Sequence, residues 1–212
     1  MNTVHFVRHG ENPANLTRAF SHRVVDHPLT ERGVTQARAT AHYFREKDIA
    51  AIYTSPLLRA QQTADIIGAA LSLSPRTIEA FREVNVGTLE LSPPCDEHWA
   101  LHDRIFADWL NGRPSSRFPD GEDHTTLVQR MQLGLLEALR HHDERHIVIV
   151  AHGGILAATV GVFCENVFPD ETGQMPFIPN CAITRMRLEA RDGVVRGAVE
   201  DWAGCDHLEG CD

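Results

Sequence analysis

No apolar run in this chain is long enough to span a bilayer, so a membrane-embedded protein is excluded as a reading. The N-terminus enters a strand-like segment at once. It lacks the basic stretch and apolar segment of a secretory leader, and a cytoplasmic protein is expected. No block of Lys or Arg stands out, and 20 basic residues face 29 acidic ones for a net charge of −9. That balance argues against nucleic acid or an anionic membrane as partner, while a local pocket can still bind a small anion. Cysteine is scarce and odd in number: Cys95, Cys164, Cys181, Cys205 and Cys211 are scattered and form no C-x-x-C pair. Reduced, structural thiols are expected, with a Cys205–Cys211 disulfide left open. Solenoid repeats and low-complexity linkers are missing as well. What is present is ordinary for a globular protein: 212 residues, 42% hydrophobic and 23% charged, enough to bury a core.

Hydrophobic periodicity divides the chain into alternating elements. "NTVHFVR" reads as a strand, followed by a polar loop with Pro13, Asn15 and Ser21. "HPLTERGVTQARATAHYFREK" reads as a helix capped by Thr30, with Val34, Ala37, Ala41 and Phe44 at helical spacing. "AAIYTS" is a short strand. "SPLLRAQQTADIIGAAL" is a helix with Ser55 as expected N-cap and Pro56 at the first helical position. "RTIEAF" predicts another strand. The stretch from about 83 to 121 is irregular, rich in Pro-Pro, Asn-Gly and Asp-Gly steps, with "EHWALHDRIFADWL" helical inside it. A helix from "HTTLVQRMQLGLLEALRHH", capped by Asp123, precedes the apolar strand "HIVIVA" and the helix "GILAATVGVF". The end reads as two strands around a turn at Asp192-Gly193. Strands alternating with helices predict an α/β fold, a mostly parallel central sheet with helices on both faces. The reading is a single domain over 1–212, with a small helical insertion at about 83–121.

Two of these strands end alike. "VHFVRHG" closes on Arg8, His9 and Gly10, and "IVIVAHGG" closes on His152, Gly153 and Gly154. Ligands in open α/β sheets bind outside the carboxyl ends of the strands, so both histidines are delivered to a candidate crevice. The glycines let the backbone turn sharply and approach a ligand. Gly153-Gly154 also opens a helix, whose first N–H groups favour an anion.

"RHGE" after an N-terminal strand resembles the signature of the histidine phosphatase superfamily, also called phosphoglycerate mutase-like. "PLTERGVTQA", "SPLLRAQQTA", "FREVNVGTLE", "FPDGED", "IVIVAHGG", "PNCAIT" and the late "HL" resemble further family segments in the same order, across nearly the whole chain. The likeness is to the small phosphatase branch. It implies a metal-independent phosphomonoesterase with no cofactor, acting on a small phosphorylated substrate through a phosphohistidine. His9 is then the nucleophile, neutral because Arg8 and Arg59 disfavour its protonation. Both arginines present planar forks to phosphoryl oxygens. His152 is implied as a donor to those oxygens, Asn15 as a further hydrogen bond, and Gly153 as part of the phosphate-binding turn. Glu83 is the implied general acid and then base, with Glu79, Glu90 and Glu97 as nearby acids. Asn12, Leu91 and Asp120 depart from the family pattern, and none of them is expected to touch the phosphate pocket directly.

Two other readings stand beside hydrolysis. A phosphoglycerate mutase would use the same His9, and a catalytically silent binding protein would keep only the fold. The loop "ENPANLTRAFSHRVVDHP" lacks the Trp-Asn pattern of the family mutases, and the insertion is short, both favouring hydrolysis. The other histidines form no metal set: His98 with His102, and His141 with His142 and His146, are read as solvated surface. Trp99, Phe106 and Trp109, which could line a substrate pocket, are at helical spacing read first as core. Arg23 or His22 is open between a second anion-binding group and a solvated loop. Oligomeric state is open, a homodimer being one option.

Overall fold

Six strands form one mixed sheet in the computed structural model, which describes residues 1–167 and 175–211. The elements are β1 (Asn2–Arg8), α1 (Pro13–Thr17), α2 (Glu31–Phe44), β2 (Ile49–Thr54), α3 (Leu58–Leu71), β3 (Arg76–Thr77), α4 (Asp96–Leu110), α5 (His124–Leu139), β4 (His146–Ala151), α6 (Gly153–Phe163), β5 (Ile183–Arg191) and β6 (Val194–Gly204). Their order across the sheet is β3-β2-β4-β1-β5-β6. The first four run parallel, while β5 pairs antiparallel with both β1 and β6. The β5–β6 turn places Asp192 and Gly193 at φ 53° and 77°, the positive-φ pair that a tight hairpin needs.

Central strands are apolar throughout because both faces are covered. Alternate residues of β4 point to opposite faces. Ile147 and Ile149 join a core with α5 and α6, while Val148 and Val150 pack against α2 and α3 through Phe44, Ala60, Ala64 and Ile67. Helices therefore cover both faces. No helix among the described residues is long and apolar enough to cross a membrane.

Thr30 and Asp123 cap α2 and α5 through Gly33 N–H and Thr126 N–H. Ser55 does not cap its helix. α3 starts at Leu58 with Leu57 at the N-cap, and both carboxylate oxygens of Asp26 accept from Leu58 N–H at 3.0 Å. A tertiary carboxylate does what a local serine was expected to do. The expected "RTIEAF" strand pairs only over Arg76–Thr77, then tightens into a 3-10 turn at Glu79–Phe81. Its carbonyls go elsewhere: Ala80 and Arg82 accept from the Arg130 guanidinium at 2.7 Å.

The "RHGE" and "PLTERG" segments form one structural unit. Glu11 accepts from Thr30 Oγ1 at 2.8 Å and pairs with Arg32 at 3.1 Å. A Cβ on Gly10 would lie 2.6 Å from the Gly33 carbonyl, so the β1 exit and the start of α2 cross with no room for a side chain.

Candidate active site

Parallel pairing sets β1 and β4 in register, Arg8 beside Ala151. The next residue of each strand is a histidine, and the His9 and His152 rings lie 5.1 Å apart. His9 Nδ1 faces the Gly10 carbonyl at 2.7 Å and Nε2 faces Arg59 Nε at 3.1 Å. A carbonyl can only accept and a guanidinium can only donate. The ring is therefore neutral, protonated at Nδ1, with the Nε2 lone pair held by Arg59. Burial, then Arg59, then Arg8 hold its pKa well below the ordinary histidine value.

Arg59 enters from the first turn of α3 and is 2% exposed. Besides His9 it donates to Ser21 Oγ at 2.7 Å, the Ser21 carbonyl at 2.8 Å and His152 Nδ1 at 3.2 Å. Burial lowers its pKa to about 10, opposed by Glu83 and Asp26. Arg8 donates to the Ile178 carbonyl at 2.5 Å and lies along Gly153, 3.4 Å from where a Cβ would stand.

His152 is fully buried. Its Nδ1 lone pair accepts the hydrogen bond from Arg59 Nη2–H, so Nε2–H donates to Ser55 Oγ at 2.7 Å. In this arrangement His152 orients Arg59 and spends its own N–H on Ser55. Burial comes first, then Arg59 and His9, in holding its pKa well below normal.

The Glu83 carboxyl sits on the N-terminus of α6. Ile155 N–H and Val84 N–H donate to Oε1 at 2.7 and 2.9 Å, and Gly154 N–H donates to Oε2 at 3.1 Å. A Cβ on Gly154 would lie 2.8 Å from Oε1, so glycine there makes room for the acid. The other acids of this stretch are occupied. Glu79 is bound by Arg82, Glu90 Oε1 accepts four backbone N–H groups from His22 to Val25, and Glu97 is exposed.

Arg8, His9, Asn15, Arg59, Glu83 and Gly153 line one cavity of about 490 Å³; His152, its ring 5.1 Å from that of His9, is not part of the lining. Asn15 Oδ1 accepts from Asn12 N–H and Asn180 Nδ2, which leaves the Asn15 amino group to offer a ligand. Sequence reasoning passed over three contributors. Asn12, expected to stay clear of the phosphate pocket, lines the cavity with Arg8 and His9, and its Nδ2 is buried with no partner among the described residues. Its place three residues after His9 was the available signal. Ser21 and Ser55 anchor Arg59 and His152, with no local signature. His22 Nδ1 bonds the Glu83 carbonyl at 2.8 Å, and Arg23 is exposed and outside the cavity lining. Trp109 is core as expected. Trp99 and Phe106, expected in the core, line the cavity, and so does His102, expected in solvent. Helical spacing marks an inward face without telling whether it meets core or cleft.

The fold and the paired strand-end histidines define the class: an α/β enzyme that brings a buried imidazole, two guanidiniums and a carboxyl to one cleft. Residues 4–201 match the model of the histidine phosphatase superfamily, branch 1, and the chain belongs to that family. It is 32% identical over 206 residues to "Probable phosphoglycerate mutase GpmB" of Yersinia pestis, covering 95% of this chain and 92% of that one. The solved Bacillus stearothermophilus protein YhfR superposes with a TM-score of 0.77 at 26% identity, covering 98% and 100% of the two chains. A phosphoserine phosphatase from Entamoeba histolytica, solved with 3-phosphoglyceric acid, shares the fold with a TM-score of 0.78 at 23% identity, covering 98% and 100%.

Proposed function

We propose that this protein is a metal-independent phosphomonoesterase working through a phosphohistidine on His9. The observation that carries the reading is the imidazole itself. Its Nδ1–H is fixed on the Gly10 carbonyl, and its Nε2 lone pair stands in a cavity with Glu83 among the lining.

The steps follow from the atoms. Nε2 attacks phosphorus as the ester P–O bond breaks, and the Glu83 carboxyl protonates the departing oxygen. The new imidazolium keeps its Nδ1–H on Gly10. Arg59 Nε–H, released from the lone pair, turns to a phosphoryl oxygen, where Arg8, Asn15 and the orphaned Asn12 amide add donors. Water then gives a proton to the Glu83 carboxylate and its oxygen attacks phosphorus, the N–P bond breaks and phosphate leaves. The guanidiniums supply the positive charge that a metal provides elsewhere.

Phosphate release from a panel of monoesters in EDTA tests this. Release should survive chelation and vanish in His9→Ala. Loss on chelation, or release persisting in the variant, refutes the mechanism.

A further inference from the structure

The phosphoryl group can occupy only the end of the cavity where Arg8, His9 and Arg59 meet. The rest of the cavity is of a different chemistry. Phe20, Trp99, His102 and Phe106 form a continuous aromatic bank along it: Phe20 stacks on Trp99 at 4.5 Å and His102 stacks on Phe106 at 4.4 Å. Trp99 and His102 join the two pairs at 5.0 Å. Val84, Val86 and Ala157 continue the apolar lining. The bank is braced from outside. Trp99 Nε1 donates to the Arg18 carbonyl at 3.1 Å, and the Arg18 guanidinium lies 5.2 Å from its ring centre. His102 is fixed by a 2.9 Å contact with Asp103. A preformed apolar wall is the usual means of binding an apolar ligand without a large ordering cost.

Charge points the same way. Among the described residues, Arg8 and Arg59 are the only lysines or arginines that line the cavity, and both belong to the phosphoryl end. Residues 168–174, FPDETGQ, contain no basic residue either. The aromatic side carries a carboxylate instead, Asp103, held below the usual range by its His102 contact. A phosphoglycerate or phosphoserine places a second carboxylate a few bonds from phosphorus. Here it would meet the aromatic bank and Asp103, and the Arg18 guanidinium beside them is taken up by the Trp99 ring and lies outside the cavity lining.

We infer that the substrate is a phosphomonoester whose alcohol half is a neutral, apolar, ring-bearing group. This deepens the hydrolase reading and rests on it. The bank then sets specificity and Asp103 excludes acids.

The test compares esters with unactivated alcohol leaving groups, so that leaving-group chemistry does not mimic binding. 2-Phenylethyl phosphate should exceed 3-phosphoglycerate, O-phosphoserine and glycerol phosphate in kcat/KM by about tenfold or more. Trp99→Ala should lower kcat/KM for the phenylethyl ester by about tenfold, chiefly through KM, and lower that for ethyl phosphate by a clearly smaller factor. Asp103→Lys, on an exposed side chain, tests the charge with little risk to folding. It should raise kcat/KM for 3-phosphoglycerate about tenfold, whereas the release of His102 can only lower that of the phenylethyl ester. A wild type that prefers 3-phosphoglycerate or phosphoserine overturns this inference and leaves the hydrolase reading standing. A folded protein that cleaves none of these, nor 4-nitrophenyl phosphate, overturns both.

Discussion

The two sides of the cleft are held by different devices. On the strand side, sheet register does the placing: β1 and β4 end together, and His9 and His152 follow from that. On the Glu83 side there is almost no regular structure. There the side chain of Arg130, from α5, donates to the carbonyls of Ala80, Arg82 and Glu83 at 2.7, 2.7 and 3.1 Å. The same guanidinium pairs with Glu122 at 2.7 and 2.9 Å, and Glu122 accepts from Asn85 N–H at 2.7 Å. One ion pair, its carboxylate buried and its guanidinium partly so, thus substitutes for a strand. The lesson is that the nucleophile rests on many distributed backbone bonds, whereas the chain segment that carries the acid rests on a few charged contacts that one substitution can break.

The largest effect should come on the strand side. His9→Ala should cut kcat by about 10⁴-fold or more, with little change in melting temperature, because the ring is a chemical group more than a packing element. Steady-state turnover with a parallel thermal melt checks it.

Acid should also strike the strand side first. His9 and His152 are held well below the normal pKa, and His5, buried beside His146, is lowered to about 3 by burial and then by that neighbour. Below about pH 6.5 the unfolded chain protonates these rings and the native state does not, so stability is lost as pH falls. Each costs about 1.4 kcal/mol per pH unit, and the three together about 4 kcal/mol per unit until their native pKa values are reached. Urea unfolding at pH 7 and pH 5.5 measures the slope. A flat profile would show that these rings are not buried neutral.

On the Glu83 side, Arg130→Met leaves the Glu122 carboxylate, 6% exposed, without its partner and frees the 80–83 backbone. We expect a loss of about 3 kcal/mol in stability. The fall in kcat should be steeper for poorly activated esters than for 4-nitrophenyl phosphate, because the acid is misplaced. Equal losses for all esters would place Arg130 in folding alone.

The smallest effect belongs to the turn that packs on this side. Asp120 has φ 55°, and a Cβ on its neighbour Gly87 would stand 1.9 Å from the Pro119 carbonyl. Asp120→Gly should relieve left-handed strain and gain about 0.5 kcal/mol, after the entropy that glycine adds to the unfolded chain. Chemical denaturation resolves a change of that size.

The same contrast explains what the sequence made legible. The strand ends were readable because an apolar run that stops in Arg-His-Gly is a local pattern. The helix caps at Thr30 and Asp123 were readable for the same reason. Ser55 was misread because a Ser-Pro start looks like a cap, while the structure uses its hydroxyl for His152, 97 residues away. Arg130 and Glu122 left no trace, since a guanidinium reaching carbonyls 47 to 50 residues off has no sequence pattern. The short β3 was lost to the same contacts. The mostly parallel sheet and the hairpin at Asp192-Gly193 were anticipated, while the antiparallel seating of β5 on β1 has no local sign in the sequence. The cavity wall stayed undecided between core and pocket because α4 shows the periodicity of any amphipathic helix.

The measurement that bears most directly on the central claim uses Glu83→Gln with 4-nitrophenyl phosphate in EDTA. This leaving group departs without an acid, but the variant has no base for the attacking water. One equivalent of nitrophenol should be released in a burst, and alkaline mass spectrometry should find a phosphoryl group on His9. A steady release without a burst, or an adduct on any other residue, would contradict the account.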